Sequence, residues 1–158
     1  IKQCLVGSEM CIRDRVRQSN FYKICNGDKQ MFSHVMIGSN DIEASRIFYD
    51  AIMKELGAKN GIPNQLKGIT RYMYFHKKNI FIITEPLNGE TATHGNGSTL
   101  GFQADSTDIV DSWHKTGLEN GGTSIEDPPG LRTQGQFSFY LAYLLDPSGN
   151  KICAMHTN

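Results

Sequence analysis

At 158 residues, 39% of them hydrophobic, the chain is long enough to bury a core of its own and short enough to be one domain. Its 16 Lys+Arg balance its 16 Asp+Glu, and a formal charge of zero speaks against a nucleic-acid partner, which needs a basic footprint. No apolar run reaches the roughly 18 residues needed to span a bilayer, so no membrane partner is expected; no basic start followed by an apolar core marks a signal peptide, and the cytoplasm is the default expectation.

Residues 1–30 differ from the rest. They show no sustained period of 2 or 3.6, and the run LVGSEMCIRDR resembles adaptor DNA read as protein in environmental sequence data. The expectation is a non-native or disordered extension, with Met31 as the natural start. Of four cysteines, Cys4, Cys11 and Cys25 fall in this segment, at no zinc-binding spacing, and are expected to be free thiols. Cys153 alone lies in the patterned region.

From Phe32 the pattern sharpens. Phe32 to Ile37 reads as a strand. Ser39, Asn40 and Asp41 are cap candidates. Ala44, Phe48, Ala51, Ile52 and Leu56 then recur at helical spacing, and Gly57 is a natural stop. Gly61 to Gly68 reads as a loop with a weak strand broken by Pro63. Arg71 to Phe75 and Ile80 to Thr84 form a hairpin across His76–Asn79. A glycine- and threonine-rich linker follows.

About 67 residues after the first helix cap the order starts again. Ser98 to Ala104 reads as a strand. Ser106-Thr107-Asp108-Ile109 opens a helix with Val110, Trp113, His114, Gly117 and Leu118 on one face, ending at Gly121-Gly122. Thr123 to Ile125 starts a strand, Pro128 to Gln136 reads as a polar loop, and Phe137 to Leu145 is strongly β-prone. Asp146-Pro147-Ser148-Gly149 fits a type I turn, and Lys151 to His156 closes the hairpin.

The plan is βαβββ twice, an α+β fold. One helix covers the outer face of each sheet, and the inner faces are expected to form a shared cavity. Alternation assigns His34, Met36, Ile82, Thr84, Thr99, Gly101, Gln103, Cys153 and Met155 to the inner surface. Val35, Ile37, Phe81, Ile83, Leu100, Phe102, Ile152 and Ala154 are assigned to the helix side. The cluster of tyrosines and phenylalanines on the central strands suits a planar or apolar small molecule. His114 is expected at the core edge and His156 carries no role; His76 and His94 are expected to be solvated loop residues. No Ser-His-Asp order, P-loop or paired-carboxylate constellation is present.

Three phrases, HVMIGSNDIEASRIFYDAIMKELG, NGSTLGFQADSTDIVDSWHKTGLENGGT and YLLDPSGNKICAMH, resemble the vicinal oxygen chelate superfamily over residues 31–158. That group includes glyoxalase I, bleomycin-resistance proteins and extradiol dioxygenases. The TEPLNGETATHGNG linker and the PPGLR loop are similar to an uncharacterised bacterial branch of glyoxalase-like proteins. The resemblance implies two modules, 31–87 and 97–158, pairing into a cupped mixed sheet around a shared cavity, and a homodimer. In metal-dependent members, four inward side chains hold a divalent ion. Carried over, those positions fall on His34, Ile82, Thr99 and Cys153, of which only His34 is a standard ligand for the family. The expectation is a metal-free small-molecule-binding protein of the bleomycin-resistance type, with no cofactor. The alternative is a lyase or dioxygenase using zinc, nickel, manganese or iron, with His34 and Cys153 as the only candidate ligands. His76 or His94 could add a third ligand from a loop, but no spacing supports either.

Overall fold

The computed structural model describes residues 32–157. The expectations for residues 1–30, and Cys4, Cys11 and Cys25 with them, lie outside the described residues.

Two four-residue strands lead the two halves. β1 (Val35–Gly38) runs into α1 (Ile42–Glu55), whose N-cap Asp41 accepts a hydrogen bond from Ala44 N at 2.9 Å. Gly57, at φ +81°, stops the helix: its N–H donates to Lys54 O while Ala58 N donates to Met53 O, a Schellman closure. β2 (Ile62–Leu66), β3 (Ile69–His76) and β4 (Asn79–Thr84) follow. The sheet order is β1-β4-β3-β2, with β1 parallel to β4 and the other pairs antiparallel. The second half repeats this with β5 (Leu100–Gln103), α2 (Thr107–Glu119), β6 (Thr123–Ser124), β7 (Gly130–Gln134), β8 (Phe137–Leu145) and β9 (Lys151–His156). β5 lies parallel to β9, β9 pairs β8, and β6 and β7 both pair with β8.

Two segments are more regular than the sequence reading: the weak strand expected to break at Pro63 runs through it, and part of the expected polar loop is a strand. Pro63 sits within β2 opposite Tyr72. It is tolerated because β2 is the edge of its sheet, where a missing N–H need not interrupt the ladder. Gly130–Gln134, read as part of a polar loop, is β7; its polar residues also fit a sheet edge. β6 and β7 act as one edge strand interrupted at residues 125–129, where Glu126 adopts φ +61° ahead of Pro128 and Pro129.

The helices pack on the outer face of each sheet and on each other, forming a core that runs through both halves. Phe48, Tyr49, Ile52, Trp113, Ile83, Leu144 and Ile152 are fully buried there. The buried face of α1 is wider than the stripe read from sequence. Phe48 and Ile52 are buried as expected, Ala44, Ala51 and Leu56 only half so, and Ser45, Tyr49 and Met53 join them. The cause is that α1 is covered both by its own sheet and by α2. On α2, Leu118 is 43% exposed instead of buried, while His114 is buried and its Nε2 lies 2.9 Å from Ser124 Oγ.

The DPSGN turn joins the halves. Asp146 is buried and accepts from Tyr49 OH at 2.9 Å, Ser148 N at 2.9 Å, Asn150 N at 2.8 Å and Asn150 Nδ2 at 2.9 Å. Asn150 Nδ2 also donates to Gly38 O at 3.0 Å, and Asn40 N donates to Ser148 Oγ at 2.9 Å. No helix among the described residues is long and apolar enough to cross a membrane.

Candidate functional site

The inner face of the first sheet follows from the outer one. Tyr72 OH donates to Glu43 Oε1 at 2.6 Å and Tyr74 OH to Asp50 Oδ1 at 3.1 Å, so both tyrosines reach toward α1. Strand alternation then turns Arg71, Met73 and Phe75 to the opposite face. Phe81 and Ile83 lie in the core, so Ile82 and Thr84 turn inward with them. The register sets Met36, Ile82, Met73 and Ile62 in one row across all four strands. The next row is Gly38, Thr84, Arg71 and Asn64. Ile82 is buried, whereas Met36 and Ile62 are 41% and 54% exposed. Arg71 is half-buried, and its Nε donates to Asn64 Oδ1 at 2.7 Å. Thr84 Oγ1 donates to Glu85 O.

The second sheet is organised the same way. Leu100, Phe102, Ile152 and Ala154 pack in or against the core. The register then places Gly101, Cys153 and Tyr143 in one inward row and Gln103, Met155 and Leu141 in the next. Gln103 Nε2 donates to Ala104 O at 3.1 Å. Lys151 pairs with Glu126 and holds its ammonium 4.8 Å from the Tyr143 ring centroid. Burial pushes the Tyr143 hydroxyl above its ordinary pKa.

Seven of the nine residues assigned to an inner surface therefore fall into two sets. Met36, Ile82 and Thr84 share the inner face of the first sheet, and Gly101, Gln103, Cys153 and Met155 that of the second. No strand of one sheet pairs with a strand of the other. His34 and Thr99 sit one residue ahead of β1 and β5, both exposed, and His34 Nδ1 lies 3.0 Å from Ser33 Oγ. A cleft of about 440 Å³ opens beyond the Arg71 row, lined in part by Ser39, Asn40, Ile69, Glu85 and Glu90.

The donor chemistry at the four family positions does not suit a resident divalent ion. Ile82 has no donor, and Thr99 offers only a hydroxyl. Burial raises the Cys153 thiol to about 11, so it is protonated at neutral pH, and a thiol binds metal poorly until it ionises. His76 and His94 do not complete a site: among the described residues no three His, Cys, Asp or Glu side chains are grouped to hold a metal. His156 Nδ1 instead lies 3.0 Å from Ala104 O. Arg71, Asn64, Met73 and Ile62 escaped the sequence reading of the site, which groups Tyr143 only with the central-strand aromatics, its face unassigned. The alternation in RYMYF could have grouped Arg71 with Met73, but which of its two faces is inward depends on where the tyrosines find partners.

Two βαβββ units, each with its helix on the outer face of its sheet, define the glyoxalase-type fold. The family model of the Glyoxalase/Bleomycin resistance protein/Dioxygenase superfamily matches residues 31–154, and the chain belongs to this superfamily. It is 53% identical to a glyoxalase/bleomycin resistance protein from Albidiferax ferrireducens T118, over 80% of this chain and 99% of that one, with a TM-score of 0.76. A glyoxalase/bleomycin resistance protein/dioxygenase family enzyme from Burkholderia phytofirmans PsJN, 22% identical over 80% of this chain and 98% of that one, shares the fold at a TM-score of 0.59. So does the fosfomycin resistance protein FosX from Listeria monocytogenes, 17% identical over 82% of this chain and 93% of that one, also at 0.59. No curated protein matches the sequence.

Proposed function

We propose that the chain is a small-molecule-binding protein whose ligand lies on the inner faces of the sheets without a tightly held metal. The observation that carries this reading is the row Met36, Ile82, Met73 and Ile62, an apolar floor where a metal-dependent relative would need a donor at Ile82. Apolar surface at that point favours an uncharged ligand group over a hydrated ion. His34 supplies a hydrogen bond to a ligand oxygen through Nε2, because Nδ1 faces Ser33, and Gln103 adds a polar contact. The family resemblance extends this proposal to a homodimer, which light scattering on the purified protein would detect.

Calorimetric titration with zinc and with nickel tests the central claim. The expected result is no stoichiometric, submicromolar binding that depends on His34. Tight binding abolished by His34→Ala would replace this reading with a metal-dependent lyase or dioxygenase.

A further inference from the structure

Within the small-molecule reading just given, and resting on it, we infer that the inner face of the first sheet takes a monoanionic amphipath, its charged group on Arg71 and its apolar body across Met36, Ile82, Met73 and Ile62.

Arg71 is the only cationic side chain in the two register rows that make up this floor. Its neighbours there are Asn64, Thr84 and Gly38, none of them charged. Among the described residues no carboxylate pairs with it, whereas Arg46 and Arg132 both have acidic partners. A guanidinium carries five N–H donors in a planar fork. Here Nε is spent on Asn64 Oδ1, which holds the fork in place, and neither terminal nitrogen hydrogen-bonds to any of the described residues. A half-buried, oriented and unpaired guanidinium is matched by a carboxylate, sulfonate or phosphate oxygen pair, which it binds in bidentate fashion.

The geometry adds the rest of the ligand. The apolar row lies two residues along the strands from the Arg71 row, about 7 Å away, and crosses three inter-strand gaps, roughly 14 Å in all. That matches a fused or linked pair of aromatic rings lying flat. Beyond Arg71 the cleft carries Glu85 and Glu90. Their negative charge disfavours a second anionic group and selects a single one.

Fluorescence titration of the full chain with anilinonaphthalenesulfonate and with uncharged phenylnaphthylamine tests this, because the two dyes share an aromatic body. The sulfonate is expected to bind at least about tenfold more tightly, as expected for one charge-assisted contact. Arg71→Gln should remove that advantage and leave the neutral dye within about twofold. Arg71→Lys should keep part of it, since the ammonium retains charge without the fork. Asn64→Ala, which leaves the charge but frees the guanidinium, should weaken only the sulfonate, and it carries the test if Arg71→Gln does not fold. Ile82→Trp, which fills the floor, should weaken both dyes. Equal affinities for the two dyes, or a sulfonate preference that survives Arg71→Gln, would overturn the anion assignment while Ile82→Trp still upheld the cavity. Binding of neither dye, as when a second chain lies flat on this face, or indifference of both to Ile82→Trp, would overturn the cavity reading as well.

Discussion

At the residue scale the buried Tyr49 and His114 make opposite demands on pH, and the buried Asp146 anchors the turn that Tyr49 meets. Asp146 satisfies four donors at once, so its cost of burial is offset by charge-assisted hydrogen bonds. Asp146→Ala strands Tyr49 OH and three donors of its own turn, and should cost about 3 kcal/mol in urea unfolding. Tyr49→Phe removes one bond and should cost about 1.5 kcal/mol. Burial, reinforced by Asp146, also raises the Tyr49 hydroxyl well above its ordinary pKa. The unfolded tyrosine ionises first, so the stability it contributes is intact below about pH 10 and lost above it. Tyr49→Phe should flatten the alkaline end of a stability–pH curve. His114 works in the other sense. Burial lowers its pKa despite Asp111 nearby, so its contribution is complete above about pH 6.5 and declines as pH falls through the folded value. Thermal melts from pH 8 to 5 should show that decline, and His114→Gln should reduce it.

At the scale of elements, the crossing of the two helices rests on Gly117. A Cβ there would stand 2.3 Å from Leu144 Cδ1 and 3.4 Å from Ile52 Cγ2, with both neighbours fully buried. Alanine improves helix propensity by about 1 kcal/mol, but overpacking a filled core costs about 1–3 kcal/mol. Gly117→Ala should therefore destabilise the protein by about 1 kcal/mol in denaturant unfolding; a gain in stability would show that Leu144 relaxes freely. The sequence placed Gly117 on the inner stripe by its spacing alone. It could not show that the residue facing it would be Leu144, from a strand more than twenty residues further on.

For the whole molecule, the shared core and the DPSGN turn make the two modules one cooperative unit. Asn150 and Ser148 of the second module hold Gly38 and Asn40 of the first, and Phe81 of β4 meets Phe102 of β5 edge-on with centroids 5.4 Å apart. Trp113, the single tryptophan, lies in the second module and reports on that half, while far-UV circular dichroism reports on both. The two signals should trace one coincident urea transition. Separated midpoints would mean that the modules unfold independently.

Local chemistry in the sequence determined the repeat, both helices with their Asp41 and Ser106 caps, the hairpin turns and the two alternating groups of residues along β1, β4, β5 and β9. Each of these depends on residues within a few positions of one another, through backbone periodicity, a capping oxygen or a glycine at positive φ. Tertiary structure decided what depends on distant partners. Pro63 and the polar Gly130–Gln134 became strands because each lies at a sheet edge, beside a neighbour that supplies the ladder. α1 buried Ser45 and Tyr49 because α2 covers a second side of it and because Ser39 and Asp146 meet their hydroxyls. Arg71 came to the inner face because Tyr72 and Tyr74 found Glu43 and Asp50 on the other side of the sheet. Period-2 alternation groups the residues of a strand, but only packing against another element chooses which group faces inward.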